Sequence, residues 1–252
     1  MGAIWTIAAR ELKSLFLSPL AWTVLGVVQL ILAYLFLAQL DNYMQFAAQL
    51  ALLESAPGVT DIVVAPVIGD AAVVLLLASP LVTMRLLAEE RRARTLPLLY
   101  TAPVSMTEIV AGKYLGVMGF MLVLVGLIAL MPLSLLAGGS LDLGKLAAGL
   151  LGLTLVLGAF AAAGLFMSSL TAQPVVAAVS TFGLLLLVWI IDWAGASREG
   201  LGDALARLSL LRHYENLVKG IVSTADLAYY LLFILFFLGL AVRRLDAERM
   251  GG

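Results

Sequence analysis

Long apolar stretches without charge alternate with short charged connections along most of this chain. A helix needs about 20 apolar residues to cross the roughly 30 Å of bilayer hydrocarbon, and the apolar stretches have about that length. Residues 146–191 carry no charge and are too long for one crossing, but the polar turn SSLTAQP at 168–174 divides them into two. The pattern therefore predicts six membrane-spanning helices, at about 18–40, 69–87, 114–137, 146–167, 175–192 and 227–242.

The composition places this pattern in a membrane. Of the 252 residues, 63% are hydrophobic and 12% are charged, with a mean hydropathy of +1.08, whereas soluble domains carry about 25% charged residues. The chain has no cysteine and one histidine, His213, which excludes disulfides and multi-histidine metal sites. A net charge of −1 gives no indication of a nucleic-acid partner. We expect a single all-α transmembrane domain over residues 1–252 that binds no metal or cofactor.

Lysine and arginine predict the orientation, because they favour the cytosolic side of membrane proteins. If the N-terminus is cytosolic, ten of the fifteen basic residues fall inside and the other five outside, namely Lys145, Arg198, Arg207, Arg212 and Lys219. Both termini are then predicted to lie in the cytosol. Residues 3–17 are apolar along one stripe and basic at Arg10 and Lys13, which predicts a helix in the membrane interface.

The connection between the second and third spans, EERRARTLPLLYTAPVSMTEIVAGK at 89–113, combines charges with an apolar centre. Its seven charges would cost on the order of 20 kcal/mol at the bilayer centre, so the connection lies outside the membrane. Ser105 and Glu108 have the spacing of a capping box that begins the third span. The apolar centre LPLLY needs a surface to cover it, and two alternatives are open: the connection folds back on its own bundle, or it docks on a cytosolic partner.

The same region resembles a known family. Residues 80–116, PLVTMRLLAEERRARTLPLLYTAPVSMTEIVAGKYLG, are similar to the signature of type-2 ABC exporter membrane subunits. The matching positions are Glu90, Thr95, Leu96, Leu98, Leu99, Pro103, Val104, Ser105, Glu108, Gly112 and Lys113. Residues 210–230 are similar to the region before the last span of gliding-motility-type permeases. Arg94 and Pro97 depart from the pattern, which often has glycine and glutamate there.

The resemblance implies a coupling helix at 94–103 that sits in a groove of a cytosolic ATPase subunit. The residues implied to contact that subunit are Glu90, Arg94, Thr95, Leu96, Leu98, Leu99, Tyr100 and Pro103. It also implies a pair of ATPase copies that carry ATP and Mg, and a second permease subunit that forms a homodimer or a related heterodimer. The location implied is the bacterial inner (cytoplasmic) membrane, in contact with lipid; accessory membrane or periplasmic subunits stay open.

We expect no catalytic residue in this chain. GSLDLGK at 139–145 has the spacing of a phosphate-binding loop, but Leu146 follows where that loop needs Ser or Thr. An intramembrane protease is a rival suggested by E-E-x-x-x-R at 89–94, and it would need more histidines than His213. An ion- or proton-coupled secondary transporter is the other rival, and it would need carboxylates buried in its spans.

Further candidate residues fall towards the predicted outer side. Asp70, Asp192, His213 and Tyr214 are candidates for an exit path or outer gate, while helix capping and interfacial placement are the alternative interpretations. The segment 194–225 is amphipathic and too charged to span, so we expect short outer helices, which re-enter the membrane in the resembling family. The spans lack interior charge, which favours export of an apolar or amphipathic substrate.

Overall fold

The computed structural model describes residues 2–50, 58–95, 104–137, 140–195 and 207–251, which form helices joined by turns, with no strand among them. In chain order the helices are α1 (Ala3–Leu17), α2 (Pro19–Leu50), α3 (Ala65–Thr83), α4 (Ala88–Arg92), α5 (Met106–Ser134), α6 (Leu143–Leu170), α7 (Pro174–Gly195), α8 (Leu210–Val218) and α9 (Thr224–Gly251). A π-helical turn, Thr60–Val64, leads into α3, and a 3₁₀ turn, Leu135–Ala137, follows α5.

Six helical stretches are long and apolar enough to cross a membrane: Pro19–Phe46, Thr60–Arg92, Met106–Ala137, Leu143–Leu170, Pro174–Ile191 and Thr224–Met250. This confirms the all-α membrane fold with six candidate spans. Most of the helices are longer than the predicted spans. The bilayer thickness sets only the length of the apolar part of a helix. The helix itself continues outside the hydrocarbon, where its charged side chains contact water or a partner residue. α5 therefore begins at Met106 instead of about residue 114, and α9 continues to Gly251.

Side chains at the helix starts satisfy backbone amides that have no partner inside the helix. Ser105 begins α5 with the predicted capping box: its backbone N–H donates to Glu108 Oε2 at 2.8 Å, and its Oγ accepts from the Glu108 N–H at 3.2 Å. Asp142 caps α6 with a single bond, which its carboxylate accepts from the Lys145 N–H at 3.1 Å. Lys145 also pairs with Asp61 at 2.7 Å. The described part of the phosphate-loop-like stretch thus forms a helix cap and an ion pair.

α6 lies at the centre of the bundle and contacts α3, α5, α7, α8 and α9. Glycines on α6 make these contacts close. A Cβ at Gly152 would lie 2.8 Å from the Leu217 Cβ of α8, and a Cβ at Gly164 would clash with Thr83 of α3. Small residues allow such approaches between membrane helices, so they place α8 and the end of α3 directly on α6.

α1, the predicted interfacial helix, packs along the first half of α5. The G-x-x-x-G pattern in GKYLG provides the space: a Cβ at Gly112 would lie 2.7 Å from the Ile7 Cβ, and one at Gly116 would lie 2.6 Å from the Glu11 Cβ. Phe16 then packs on Phe120 with ring centroids 5.5 Å apart. The apolar stripe of α1 is consequently covered by α5, while Trp5, Arg10 and Lys13 are exposed.

α8 is the described helix of the predicted outer segment 194–225, of which residues 196–206 lie outside the described residues. It packs against α6, α7 and α3 through the buried side chains of Leu210, Tyr214 and Leu217. Its other face is polar, which explains why the sequence reads as amphipathic and not as a span.

Candidate partner-contact site

A turn at residues 84–87 interrupts the helix between α3 and α4. A serine of α6 holds this turn in place. Ser168 Oγ accepts hydrogen bonds from the backbone N–H groups of Leu87 and Ala88, both at 3.0 Å. The same hydroxyl donates to the Met84 carbonyl at 2.9 Å. The amides at the start of α4 and a carbonyl at the end of α3 are thus satisfied by one buried side chain, which fixes α4 on α6.

A buried lysine joins α4 to two other helices. Lys113 of α5 has a side chain only 3% exposed, and its Nζ lies 2.8 Å from Glu90 Oε1 of α4 and 3.2 Å from Glu11 Oε2 of α1. A buried ammonium needs such partners, because an unpaired charge away from water is costly. Glu90 Oε2 is buried and has no hydrogen-bond partner among the described residues. Three separate helices therefore meet at one ion cluster.

Arg91 makes the next connection, from α4 to the ends of α6 and α9. Its Nη2 donates to the Ser169 carbonyl at 2.5 Å and to Glu248 Oε2 at 2.8 Å. Glu248 also accepts from Arg244 at 3.0 Å within α9. We call α4 with Glu11, Lys113, Ser168 and Glu248 the α4 junction. The long-range polar contacts of α4 lead to α5, α6 and α9.

Beyond α4 the chain turns sharply. Arg94 has a positive φ of 56°, a conformation that favours glycine because it lacks a Cβ. The resembling family often has glycine at this position, so the geometry gives a physical reason for that preference. Thr95 closes the turn, with its backbone N–H donating to the Glu90 carbonyl at 3.0 Å and its Oγ1 to the same oxygen at 3.2 Å.

A basic cleft of about 590 Å³ lies beside this turn, between α4 and the start of α7. Its lining is Arg91, Arg92, Arg94, Ala172, Gln173, Pro174 and Val175. Guanidinium groups in such a cleft suit carboxylates of a partner. We call it the arginine cleft.

The predicted contact residues divide between described and undescribed parts of the chain. Leu96, Leu98, Leu99, Tyr100 and Pro103 lie outside the described residues. Arg94 and Thr95 form the exposed turn after α4, whereas Glu90 points inward to Lys113 with its side chain 22% exposed. The sequence reading missed Glu11, Arg91, Ser168 and Glu248 as partners of this region. In the sequence, each of these four residues is only a charged or hydroxyl side chain next to an apolar run. Many other residues of the chain fit that description, so it does not identify partners.

A second polar group lies around α8, by the other end of α6. Tyr214 donates from its hydroxyl to the Ile68 carbonyl at 2.5 Å. Burial, and to a lesser degree the nearby Asp70 carboxylate, raises the pKa of the Tyr214 phenol well above its usual range, so the hydroxyl stays protonated. Asp70 itself is half-buried on α3, and the side chain of Asp192 lies outside the described part of the structure.

His213 belongs to this second group and pairs with a residue that the sequence analysis did not single out. Its Nδ1 lies 2.5 Å from Asp226 Oδ1, and its Nε2 donates to the Arg207 carbonyl at 3.0 Å. Asn216 also donates to Asp226, at 3.2 Å, and the imidazole stacks on Tyr229 with ring centroids 4.1 Å apart. These contacts tie α8 to the start of α9.

The α4 junction and the polar group around α8 are too far apart to form one active site. Ser168 contacts α4 and Gly152 contacts α8, and sixteen residues of helix between them span about 24 Å. The glutamates of E-E-x-x-x-R are thus remote from His213. No cluster of metal-ligating side chains occurs among the described residues.

The sequence was compared with models of known protein families. The family model described as "ABC-2 family transporter protein" matches residues 5–250. A search of curated proteins gives no match. The matched region includes all six candidate spans, α4 and α8. Because the match extends over nearly the whole chain, this multi-pass membrane protein belongs to the ABC-2 transporter family.

Proposed function

We propose that this permease subunit couples ATP hydrolysis in a separate cytosolic ATPase to export of an apolar or amphipathic substrate. The observation that carries the proposal is the α4 junction, which anchors the start of the 89–113 connection on α1, α5, α6 and α9. A partner that pushes on residues 94–103 would move these helices together.

The proposed coupling works as a rigid lever. Interiors of packed helices resist small deformations, so a displacement at Arg94 and Thr95 is carried into α4 without being absorbed there. Ser168 passes it to α6, Lys113 to α5 and α1, and Arg91 to α9. Two permease subunits on two ATPases, as a homodimer or related heterodimer, would open and close a path at their shared seam.

The proposed orientation places the α4 junction in the cytosol of a bacterial cell, with both termini on that side of the inner membrane. The exposed basic residues Arg10, Lys13 and Arg243 lie at this end, in agreement with the preference of lysine and arginine for the cytosolic side. The arginine cleft then faces the ATPase and offers a binding site for its carboxylates.

The substrate class rests on how charge is placed in the bundle. The ion pairs of the described residues lie at the α4 junction, around α8 or at the start of α6. Between these levels the core is uncharged and mostly aliphatic and aromatic, and it also contains the buried hydroxyls of Ser79, Thr83 and Thr181. A path bordered by such spans suits a lipid, a lipid-linked glycan or a hydrophobic peptide better than a hydrophilic ion.

Purification of tagged full-length protein in mild detergent, with its ATPase partner co-expressed, tests the proposal. We expect the ATPase to co-purify in equal amount with the wild type and to be lost from Leu98→Asp and Leu99→Asp, because a carboxylate in the apolar centre LPLLY opposes docking. Glu89→Ala, an exposed position in the same connection, is the matched control and should retain it. Unchanged co-purification with both leucine variants would overturn the docking role of this connection.

A further inference from the structure

An apolar groove runs along the surface between the first turns of α5 and the second half of α9, with a volume of about 690 Å³. We call it the α5–α9 groove. Its lining is Thr107, Val110, Ala111, Leu235, Phe236, Leu238, Gly239, Leu240, Val242 and Arg243. All but Thr107 and Arg243 are apolar. Gly239 is exposed and would have no atom within 4 Å of an added Cβ, so the groove is open at its middle.

Neighbouring contacts fix the depth of the groove in the membrane. Gly158 of α6 faces both Met118 of α5 and Ile234 of α9, so these two positions lie at one level. α5 and α9 run in opposite directions from there, and Arg243 reaches the level of Thr107. The groove thus begins within the apolar part of the bundle and ends at the α4 junction side.

α1 marks the membrane surface at the same level. It packs along α5 at Gly112 and Gly116, next to the groove-lining Ala111. Its exposed side chains include Trp5, 67% exposed, with the basic Arg10 and Lys13. Tryptophan and basic residues collect at the headgroup level of membranes. The groove therefore extends from this level into the acyl-chain region, and Arg243 stands at its headgroup end.

Arg243 supplies a charge that has no counterion among the described residues. In the described part of the chain its exposed side chain has no ion pair or hydrogen bond, whereas the adjacent Arg244 pairs with Glu248. A guanidinium binds a phosphate well through paired N–H donors. An apolar groove that ends at an unpaired arginine is complementary to a molecule with an acyl chain and an anionic phosphate.

We propose that the α5–α9 groove binds one anionic phospholipid of the leaflet next to the α4 junction. Its phosphate lies on Arg243, and one acyl chain runs along Gly239 towards Leu235. A second copy of the chain is the other possible occupant, and because a stable interface buries about 1,200–2,000 Å², it would show as a change of oligomeric mass in the test below. The inference is independent of the ATPase, and so is its test.

Native mass spectrometry of the purified full chain tests the site, with phosphatidylglycerol and phosphatidylcholine of the same acyl chains as probes. We expect the wild type to prefer phosphatidylglycerol, and Arg243→Gln to lower that preference roughly fivefold, the effect of one basic residue near an anionic membrane surface. Gly239→Phe adds a ring to the groove at a position where a Cβ would meet no atom within 4 Å, and it should weaken binding of both lipids.

Two matched variants separate the site from general effects. Arg249→Gln removes another exposed arginine of α9 outside the groove, and Gly126→Phe adds a ring at another open glycine; both should bind like the wild type. Equal losses in Arg243→Gln and Arg249→Gln, or no loss in either groove variant, would overturn the site. A change of oligomeric mass in Gly239→Phe with lipid binding unchanged would also overturn it and identify the groove as a contact between copies.

Discussion

Removal of the Lys113 ammonium is the sharpest perturbation of the α4 junction. In Lys113→Met the side chain keeps most of its length and apolar volume, so packing against α1 and α4 changes little. The Glu11 and Glu90 carboxylates, which lie 3.2 Å and 2.8 Å from Nζ, lose their shared counterion. They then face each other as like charges in a partly buried place. We expect the contacts of α1 and α4 with α5 to weaken together.

The size of the effect follows from burial. Loss of one partner from a buried ion pair costs about 3–5 kcal/mol, since the remaining charge is left without compensation. The two carboxylate side chains are 20% and 22% exposed, so water solvates them in part and we take the lower end, about 3 kcal/mol. At about 2–4 °C per kcal/mol for a domain of this size, the thermal midpoint should fall by about 6–12 °C.

The assay is thermal unfolding of the detergent-solubilised protein, followed by intrinsic tryptophan fluorescence. The triple variant Glu11→Gln, Glu90→Gln, Lys113→Met is the control, because it removes the uncompensated charges along with the lysine. It should regain most of the lost midpoint. If Lys113→Met melted with the wild type, or if the triple variant were no more stable than Lys113→Met, the ion cluster would not hold these helices together.

Three further predictions concern other positions. Gly116→Leu should expose α1 to trypsin, because a side chain there meets α1 at 2.6 Å, whereas Gly126→Leu, with nothing within 4 Å, should leave cleavage unchanged. Arg94→Gly should raise the thermal midpoint by about 2–4 °C because it relieves a left-handed residue, and Arg92→Gly, within α4, should lower it. Tyr214→Phe should lower the free energy of unfolding by about 1 kcal/mol, measured by urea titration. Because burial raises the Tyr214 pKa above the usual 10.0, the unfolded wild type ionises first as the pH rises. The difference between wild type and variant should therefore be constant below pH 10.0 and shrink above it.

The membrane-spanning helices were predictable because their signals are local. A run of apolar residues long enough for the bilayer, a charged connection and a polar turn each act within a short window of sequence. The six candidate spans agree with that prediction, and so does the capping box, since Ser105 and Glu108 are only three residues apart. The family resemblance was likewise carried by a contiguous stretch, residues 80–116.

Which face of each span is buried could not be read in the same way. In a soluble helix the polar face meets water, so the spacing of apolar residues marks the core. Here both the core and the lipid favour apolar side chains: Leu124 is buried and Leu122 is half exposed on the same helix, with identical chemistry. Only the packing of α5 against its neighbours distinguishes them.

The sequence by itself determined how many helices cross, where charge lies along the chain, and which family the connection at 80–116 resembles. The tertiary structure decided which charges are satisfied by other helices of the bundle and which are exposed. Glu11, Glu90 and Lys113 meet from three separate helices, as do Ser168 and the α3–α4 break. These contacts depend on how closely helices pack at glycines and other small residues. Such packing depends on two segments that are separate in the sequence, so a local pattern in one of them does not predict it.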